Sequence, residues 1–189
     1  MNIEQIRDSL PDYARDLKLN LGTVLTTNGA PGLNERQIWS IALASAIAAR
    51  NTSFARHVEA DARAHLADLD IEGAKAAAAI MGMNNIYYRF LHLVEDGEYQ
   101  TMPARLRMNV IGNHGIDKLD FELISLAVSA VNGCGLCVTS HEKKLRSHDV
   151  SREAIQSAVR IAATIHAIAC VLEFEQSRPV AAGSAELAA

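Results

Sequence analysis

The stretch VNGCGLCVTSHE, residues 131–142, determines how the rest of the chain is interpreted. It holds two of the three cysteines, Cys134 and Cys137, and His141 follows the second by four residues. Asn-Gly marks a backbone break, and the residues from Val138 onward favour a helix. Cys134 then lies at a helix start, with Cys137 and His141 one and two turns along the same face. A helix N-terminus favours thiolate, and a histidine one turn away can take the proton. The pattern predicts a reactive dithiol.

Composition limits the classes of protein that the chain can belong to. Its 189 residues suit one domain, and a formal charge of −4 excludes a basic surface for nucleic acid. The N-terminus is polar and mixed in charge, unlike a secretory signal. Apolar runs such as residues 41–49 are shorter than the roughly 20 residues that span a bilayer. Three cysteines, two of them clustered, argue against a secreted disulfide framework. We expect a soluble, cytoplasmic protein that binds neither nucleic acid nor membrane.

The pattern of apolar residues predicts an all-α fold. Alanine is abundant, aromatic residues make up 5% of the chain, and apolar residues recur with a helical period. We expect a single helical domain over residues 1–175 and a mobile tail over residues 176–189. Predicted helix N-caps are Asn34, Asp70, Asp117 and Ser151.

A faint internal repeat is present in the sequence. At a shift of 84 residues, residues 43–47 overlay residues 127–131, and the predicted helix lengths correspond. This predicts two copies of a three-helix unit around one core, and chance matching between alanine-rich helices is the alternative. At this shift, Arg50 and Ser53 take the places of the two clustered cysteines.

Glu122 is the predicted partner of the dithiol. In an antiparallel hairpin across Asn132-Gly133, Glu122 lies about 15 Å back from the bend and His141 roughly 10 Å forward of Cys134. Side chains or one water can bridge the difference of roughly 5 Å. We therefore expect Glu122, His141 and the thiols to share a proton network. A single helical glutamate is more often an exposed charge, so that alternative stays open.

The cysteines also have other interpretations. Cys134, Cys137 and His141 could bind zinc with the distant Cys170, although a second closely spaced ligand pair is missing from the sequence. The two clustered cysteines could also be an accidental buried pair. Cys170 lies in an apolar run, and we predict that it is a core residue.

A dithiol of this kind has two chemistries. It can exchange with another disulfide, or one thiolate can attack a peroxide and become a sulfenic acid that the second thiol converts to a disulfide. Cys137, one turn before His141, is the predicted attacking sulfur. Cys134, at the helix tip and expected to be the more exposed, suits proton donation and resolution.

Several segments together match one known family: residues 3–6 (IEQI), 11–14 (PDYA), 18–21 (KLNL), 80–85 (IMGMNN), 106–109 (LRMN), 121–123 (FEL) and 129–134 (SAVNGC), with Cys137 and His141. Over nearly its full length the chain resembles the alkyl hydroperoxidase D proteins of the carboxymuconolactone decarboxylase-like superfamily. The resemblance implies an all-helical homotrimer with weak alkyl hydroperoxide reductase activity and no bound cofactor. It also implies electrons from the dihydrolipoamide of a lipoyl-bearing acyltransferase, which a dihydrolipoamide dehydrogenase reduces, and a peroxiredoxin as a further partner.

The resemblance also implies a role for each residue of the site. Cys134 and Cys137 form the redox disulfide, with Cys137 as the sulfenic acid site and Cys134 as the proton donor. Glu122 and His141 relay protons. Known members carry a second histidine between the cysteines, where this chain has Leu136.

Two competing functions remain at this point. A decarboxylase of the parent superfamily does not need paired cysteines, so the dithiol argues against it. A zinc-binding structural or sensor protein is the alternative outside enzymes.

Overall fold

The computed structural model describes residues 1–177 and is all-helical over that range, with no β-strand, which confirms the predicted fold class. Most of the predicted tail lies outside the described residues, which end at Ser177. Short 3₁₀ turns cover Asp12–Ala14 and Asn109–Gly112. The α-helices are α1 (Ile3–Ser9), α2 (Arg15–Val24), α3 (Glu35–Ala48), α4 (Thr52–Ala62), α5 (Asp68–Leu93), α6 (Glu98–Thr101), α7 (Lys118–Val131), α8 (Gly135–Arg146) and α9 (Arg152–Gln176).

Helix N-caps fix where the main helices begin. Asn34, Asp117 and Ser151 cap α3, α7 and α9 through their side-chain oxygens, as predicted. The prediction for Asp70 is wrong. It lies in the first turn of α5, where its carboxylate accepts a hydrogen bond from the backbone N–H of Ala67, the true N-cap. A carboxylate in the first turn stabilises a helix nearly as well as a cap, which is why the sequence pattern misled by one turn.

The order and lengths of the helices agree with the predicted internal repeat. Helices α3, α4 and α5 have 14, 11 and 26 residues, and α7, α8 and α9 have 14, 12 and 25. For the first two helix pairs the predicted register is wrong by one residue, because Asn51, not Arg50, is the cap that corresponds to Cys134. Helices α5 and α9 begin at residues 68 and 152, at the predicted shift. Arg50 corresponds to Gly133, and both have a left-handed backbone, with φ of 66° and 68°. The buried Phe54 takes the place of the second cysteine.

Helices α3 and α7 form the centre of the protein, and the long helices α5 and α9 pack against both. Within residues 1–177, α9 alone is long and apolar enough to cross a membrane. Half of its most apolar window is buried inside the protein, and Ile161, Ile165 and Ile168 are inaccessible to solvent. In this fold α9 is therefore a core helix.

Three residues, 132–134, connect α7 to α8 and reverse the chain. Gly133 adopts the left-handed conformation, which glycine reaches without steric cost. The backbone N–H of Cys134 donates to the carbonyl of Ser129, 3.1 Å away, in the last turn of α7. The reversal places α7 and α8 side by side in opposite directions.

Helix α5 holds this turn through a buried polar network. The amide nitrogen of the fully buried Asn85 donates to Ser129 Oγ at 2.9 Å, and its oxygen accepts from Asn132 Nδ2 at 2.9 Å. Arg89 donates to the carbonyl of Asn132 at 2.8 Å. A polar network with satisfied members restricts a buried segment to one arrangement. The position of the two cysteines therefore depends on α5.

Replacing Asn85 should loosen the turn. Asn85→Ala removes two hydrogen bonds and leaves Asn132 and Ser129 without their partner, so we expect the free energy of unfolding to fall by about 2–3 kcal/mol. Denaturant unfolding monitored by circular dichroism measures this change. Asn20→Ala, at an exposed helical asparagine, is the matched control and should stay within about 0.5 kcal/mol of wild type. Equal stability of the two variants would contradict a structural role for the network.

Candidate active site

The two cysteines lie at the start of α8 and form a disulfide, with their Cα atoms 5.3 Å apart. Cys134 is the N-cap residue, and its sulfur accepts a hydrogen bond from the backbone N–H of Cys137 at 3.3 Å. Unpaired N–H groups at a helix N-terminus stabilise negative charge. The Cys134 sulfur therefore lies where the helix terminus can stabilise a thiolate that leaves this disulfide.

The accessibility of the two sulfurs is the reverse of the prediction. Cys134 is 0% exposed, whereas Cys137 is 7% exposed. The expectation that the helix tip would be the more open position fails because α5 covers the turn through Asn85 and Arg89. Cys137 is therefore the sulfur that a small molecule reaches first.

Glu122 and His141 are in direct contact, with 2.7 Å between Glu122 Oε2 and His141 Nδ1. Both side chains are largely shielded from solvent, so the alternative that Glu122 is an ordinary surface charge is wrong. The carboxylate holds the imidazole in this orientation. Because Nδ1 faces Glu122, Nε2 is the nitrogen that can exchange a proton with another group.

A cavity of about 420 Å³ brings these groups together. Its walls include Cys137, Glu122 and His141, three of the four predicted site residues, and Cys134 is not among the lining residues. Leu136, which stands where the family resemblance implies a histidine, also lines the cavity. The remaining lining residues are Met81, Asn84, Tyr88, Met108, Ile111, Phe121 and Ser140. The result is an apolar chamber with a sulfur and an acid–base pair in its wall.

His114 stacks on Phe121, a residue of the cavity wall. Its ring lies parallel to that of Phe121, with 4.1 Å between centroids. Burial lowers the pKa of His114, although the nearby carboxylates of Asp117 and Glu122 act in the opposite direction. His114 is therefore neutral at pH 7 and adds no positive charge next to Glu122.

The prediction that Cys170 is a core residue is wrong. It is exposed on α9, with its sulfur 3.7 Å from His166 Nε2. The apolar run around it covers one face of the helix, and Cys170 lies on the other face. Among the described residues, 1–177, no group of three or more His, Cys, Asp or Glu side chains is arranged to hold a metal ion.

Several cavity residues have no role in the sequence-based hypothesis. Tyr88, Met108 and Ile111 come from α5 and the segment after it, which has little regular periodicity. The neighbouring pair Asn84-Asn85 does carry a signal. Two adjacent amides inside an otherwise alanine-rich apolar helix are costly to bury unless each has a partner or a ligand.

Comparison with known proteins shows the family of the chain. Residues 97–173, which include both cysteines, match the carboxymuconolactone decarboxylase family. The chain is 53% identical over 189 residues to the alkyl hydroperoxide reductase AhpD of Rhodospirillum centenum, covering 100% of both chains. It is 55% identical over 173 residues to AhpD of Gluconacetobacter diazotrophicus, covering 92% of this chain and 93% of the relative. It is 54% identical over 175 residues to AhpD of Solibacter usitatus, covering 93% and 97%. At this identity over this length, the chain belongs to the alkyl hydroperoxidase D family.

Proposed function

We propose that the protein reduces organic hydroperoxides with the Cys134–Cys137 dithiol. One observation carries the proposal: Cys137 and the Glu122–His141 pair line the same largely apolar cavity. The names of the relatives, alkyl hydroperoxide reductases, support the same chemistry. The activity places the protein in antioxidant defence, and we propose the cytoplasm as its setting.

The first step is oxidation of Cys137. His141 takes the thiol proton of Cys137, and Glu122 stabilises the resulting imidazolium. The thiolate attacks the terminal oxygen of the hydroperoxide, so that a sulfur–oxygen bond forms and the oxygen–oxygen bond breaks. His141 returns the proton to the leaving alkoxide. The products are an alcohol and a sulfenic acid at Cys137.

The second step closes the disulfide. The thiol of Cys134 attacks the sulfenic sulfur of Cys137, and water leaves with the hydroxyl group and the thiol proton. Cys134 is shielded from solvent, and its sulfur lies at the helix N-terminus. This shielding protects the resolving thiol from direct oxidation, so Cys134 acts on Cys137 alone.

The third step restores the dithiol. An external thiolate attacks the sulfur of Cys137, the accessible one, and Cys134 leaves as a thiolate that the helix N-terminus stabilises. The second thiol of the reductant then attacks the mixed disulfide, so that Cys137 is released as a thiol and the reductant leaves as its own disulfide. A slender dithiol on an apolar arm fits a cavity of this size and lining. We therefore propose the dihydrolipoamide of a lipoyl-bearing acyltransferase as the reductant, kept reduced by a dihydrolipoamide dehydrogenase. The same exchange chemistry would let the dithiol reduce the disulfide of a peroxiredoxin partner.

Leu136 shortens the proton pathway in this proposal. It cannot carry a proton, so the transfer to and from Cys137 rests on His141 and Glu122. Leu136 instead adds apolar surface at the cavity, where it is 40% exposed.

Removal of either cysteine should abolish turnover. We expect Cys137→Ser and Cys134→Ser to lose at least about 100-fold in dihydrolipoamide-dependent reduction of cumene hydroperoxide, because each removes one half of the disulfide cycle. Glu122→Gln should lose about 100-fold, the size of a general acid–base contribution. A coupled assay of hydroperoxide consumption measures these rates.

Cys170→Ser is the control for this experiment, because Cys170 is a free thiol outside the cavity. Its rate should equal that of wild type. Unchanged rates in both Cys134→Ser and Cys137→Ser would defeat the proposed function. Zinc that copurifies with the protein and blocks titration of these two thiols would favour the zinc-binding alternative.

We also propose that the protein is a homotrimer. The number three rests on the family resemblance, and an exposed apolar face supports the existence of a subunit contact. Ile86, Phe90 and Leu93 project from α5 at helical spacing and are exposed, with Leu93 at 69%. Tyr99 packs edge-on against Phe90 and extends this face into the following segment. A face of this kind on a water-soluble subunit indicates a partner surface.

Charges on this face should dissociate the trimer. We expect wild-type protein to sediment as three chains of 20.4 kDa and a Phe90→Glu/Leu93→Glu variant to sediment as a monomer. Leu19→Glu, at an exposed leucine of α2, is the matched control and should remain trimeric. Analytical ultracentrifugation gives the masses. A wild-type monomer, or a double variant that stays trimeric, would contradict this assembly.

A further inference from the structure

We infer that Asn84 binds the hydroperoxide group of the substrate, through a hydrogen bond that holds the terminal oxygen next to Cys137. The inference rests on the proposed function and adds to it a residue that recognises the reacting group. Asn84 lies on α5, and it lines the same cavity as Cys137 and His141.

The side-chain oxygen of Asn84 is buried without a hydrogen-bond partner among the described residues. The residue is 4% exposed, and its Oδ1 has no hydrogen-bond partner within the part of the chain that the structure describes. An unsatisfied buried acceptor is costly, so a protein retains one where a ligand completes it. The adjacent Asn85 shows the contrast, since both ends of its amide are bonded to the turn before α8. Asn85 therefore stabilises the turn, whereas the side-chain oxygen of Asn84 is available to a ligand.

The lining of the cavity contains both polar and apolar groups. Asn84, Glu122 and His141 supply polar atoms, as do Tyr88 and Ser140, whereas Met81, Met108 and Ile111 offer only apolar surface and a thioether. An organic hydroperoxide has the same division, with a polar O–O–H head and an alkyl tail. We place the head next to Asn84 and His141, and the tail against the apolar side chains of the lining.

The donor and acceptor pattern of a hydroperoxide matches these groups. It has one O–H donor, on the terminal oxygen, which is the atom that the thiolate attacks. Donation of that proton to Asn84 Oδ1 fixes the terminal oxygen and leaves the inner oxygen free to accept a proton from His141. If the amide turns over, its NH₂ group donates to the same oxygen, so either orientation binds the head. A thiol of the reductant is a weak donor, and it gains little from this amide.

The test separates the two half-reactions in Asn84→Leu, a substitution of similar size. Reduced protein is mixed with hydrogen peroxide, tert-butyl hydroperoxide or cumene hydroperoxide, and loss of thiol is followed in a single turnover. We expect the second-order rate constant to fall about tenfold, the effect of one lost hydrogen bond to the reacting group. The fold decrease in this rate constant should be the same for the three peroxides, because the O–O–H group is the only part that they share. Reduction of the disulfide by dihydrolipoamide should stay within about twofold of wild type.

Ser45→Ala is the matched control. Ser45 also has a buried oxygen without a partner among the described residues, but it lies on α3 and does not line the cavity. Its peroxide rate should be unchanged. Neither this variant nor Asn84→Leu should lower the melting temperature, since each removes an unsatisfied polar group. Asn84→Ala gives the same comparison if Asn84→Leu does not fold, with the same expected loss in peroxide rate.

Each other outcome overturns the inference. An unchanged peroxide rate would mean that bound water alone satisfies the amide. A loss that grows with the size of the peroxide would mean that Asn84 only shapes the wall. A loss in both half-reactions, or in reduction alone, would place its effect on the dithiol or the reductant. If Cys137→Ser protein still consumes peroxide at the wild-type rate, the proposed function fails, whatever Asn84→Leu shows.

Discussion

The three-residue turn between α7 and α8, residues 132–134, determines where the reactive groups lie. Because the helices run in opposite directions on either side of it, Glu122 meets His141 at 2.7 Å, and Cys137 lines the same cavity. The left-handed Gly133 permits the reversal, and hydrogen bonds from α5 hold it in place. A shift of α8 along α7 by one turn, about 5.4 Å, would separate the base from the carboxylate. The chemistry therefore depends on a backbone reversal more than on any single side chain.

The two three-helix units place different residues in the same backbone arrangement at the start of their second helix. In the first unit, Asn51 caps α4 and the buried Phe54 follows at the third helical position. In the second unit, Cys134 and Cys137 occupy these places on α8. A cap needs only an acceptor near free N–H groups, and a sulfur can supply it. The cysteine pair thus occupies a helix-capping arrangement. In the first unit, the same arrangement only stabilises the start of α4.

Much of this arrangement could be predicted from the sequence, because it depends on local rules. The caps Asn34 and Asp117 follow from side-chain acceptors placed before apolar helices, and the Glu122–His141 contact follows from helical rise on both sides of a bend. The burial of Cys134 could not be predicted in this way. It depends on α5, which lies some 40 residues earlier in the chain and covers the turn only in the folded protein. The exposure of Cys170 differs from the prediction for another reason. Its neighbours in the sequence are apolar, but His166, one turn before it, lies on an exposed face of α9. The sequence marks Asn84-Asn85 as an unusual polar pair in an apolar helix, but only the fold distinguishes the bonded Asn85 from Asn84, whose oxygen has no partner among the described residues.

The most direct measurement of the central claim locates the sulfenic acid. Cys134→Ser protein cannot close the disulfide, so an oxidised Cys137 persists long enough to be trapped by a dimedone-type nucleophile. The protein is treated with cumene hydroperoxide in the presence of that reagent, digested and examined by peptide mass spectrometry. A label on Cys137 is the predicted result. A label on Cys170 in its place, or hydroperoxide consumption with no label on Cys137, would contradict a peroxide-reducing centre at the start of α8.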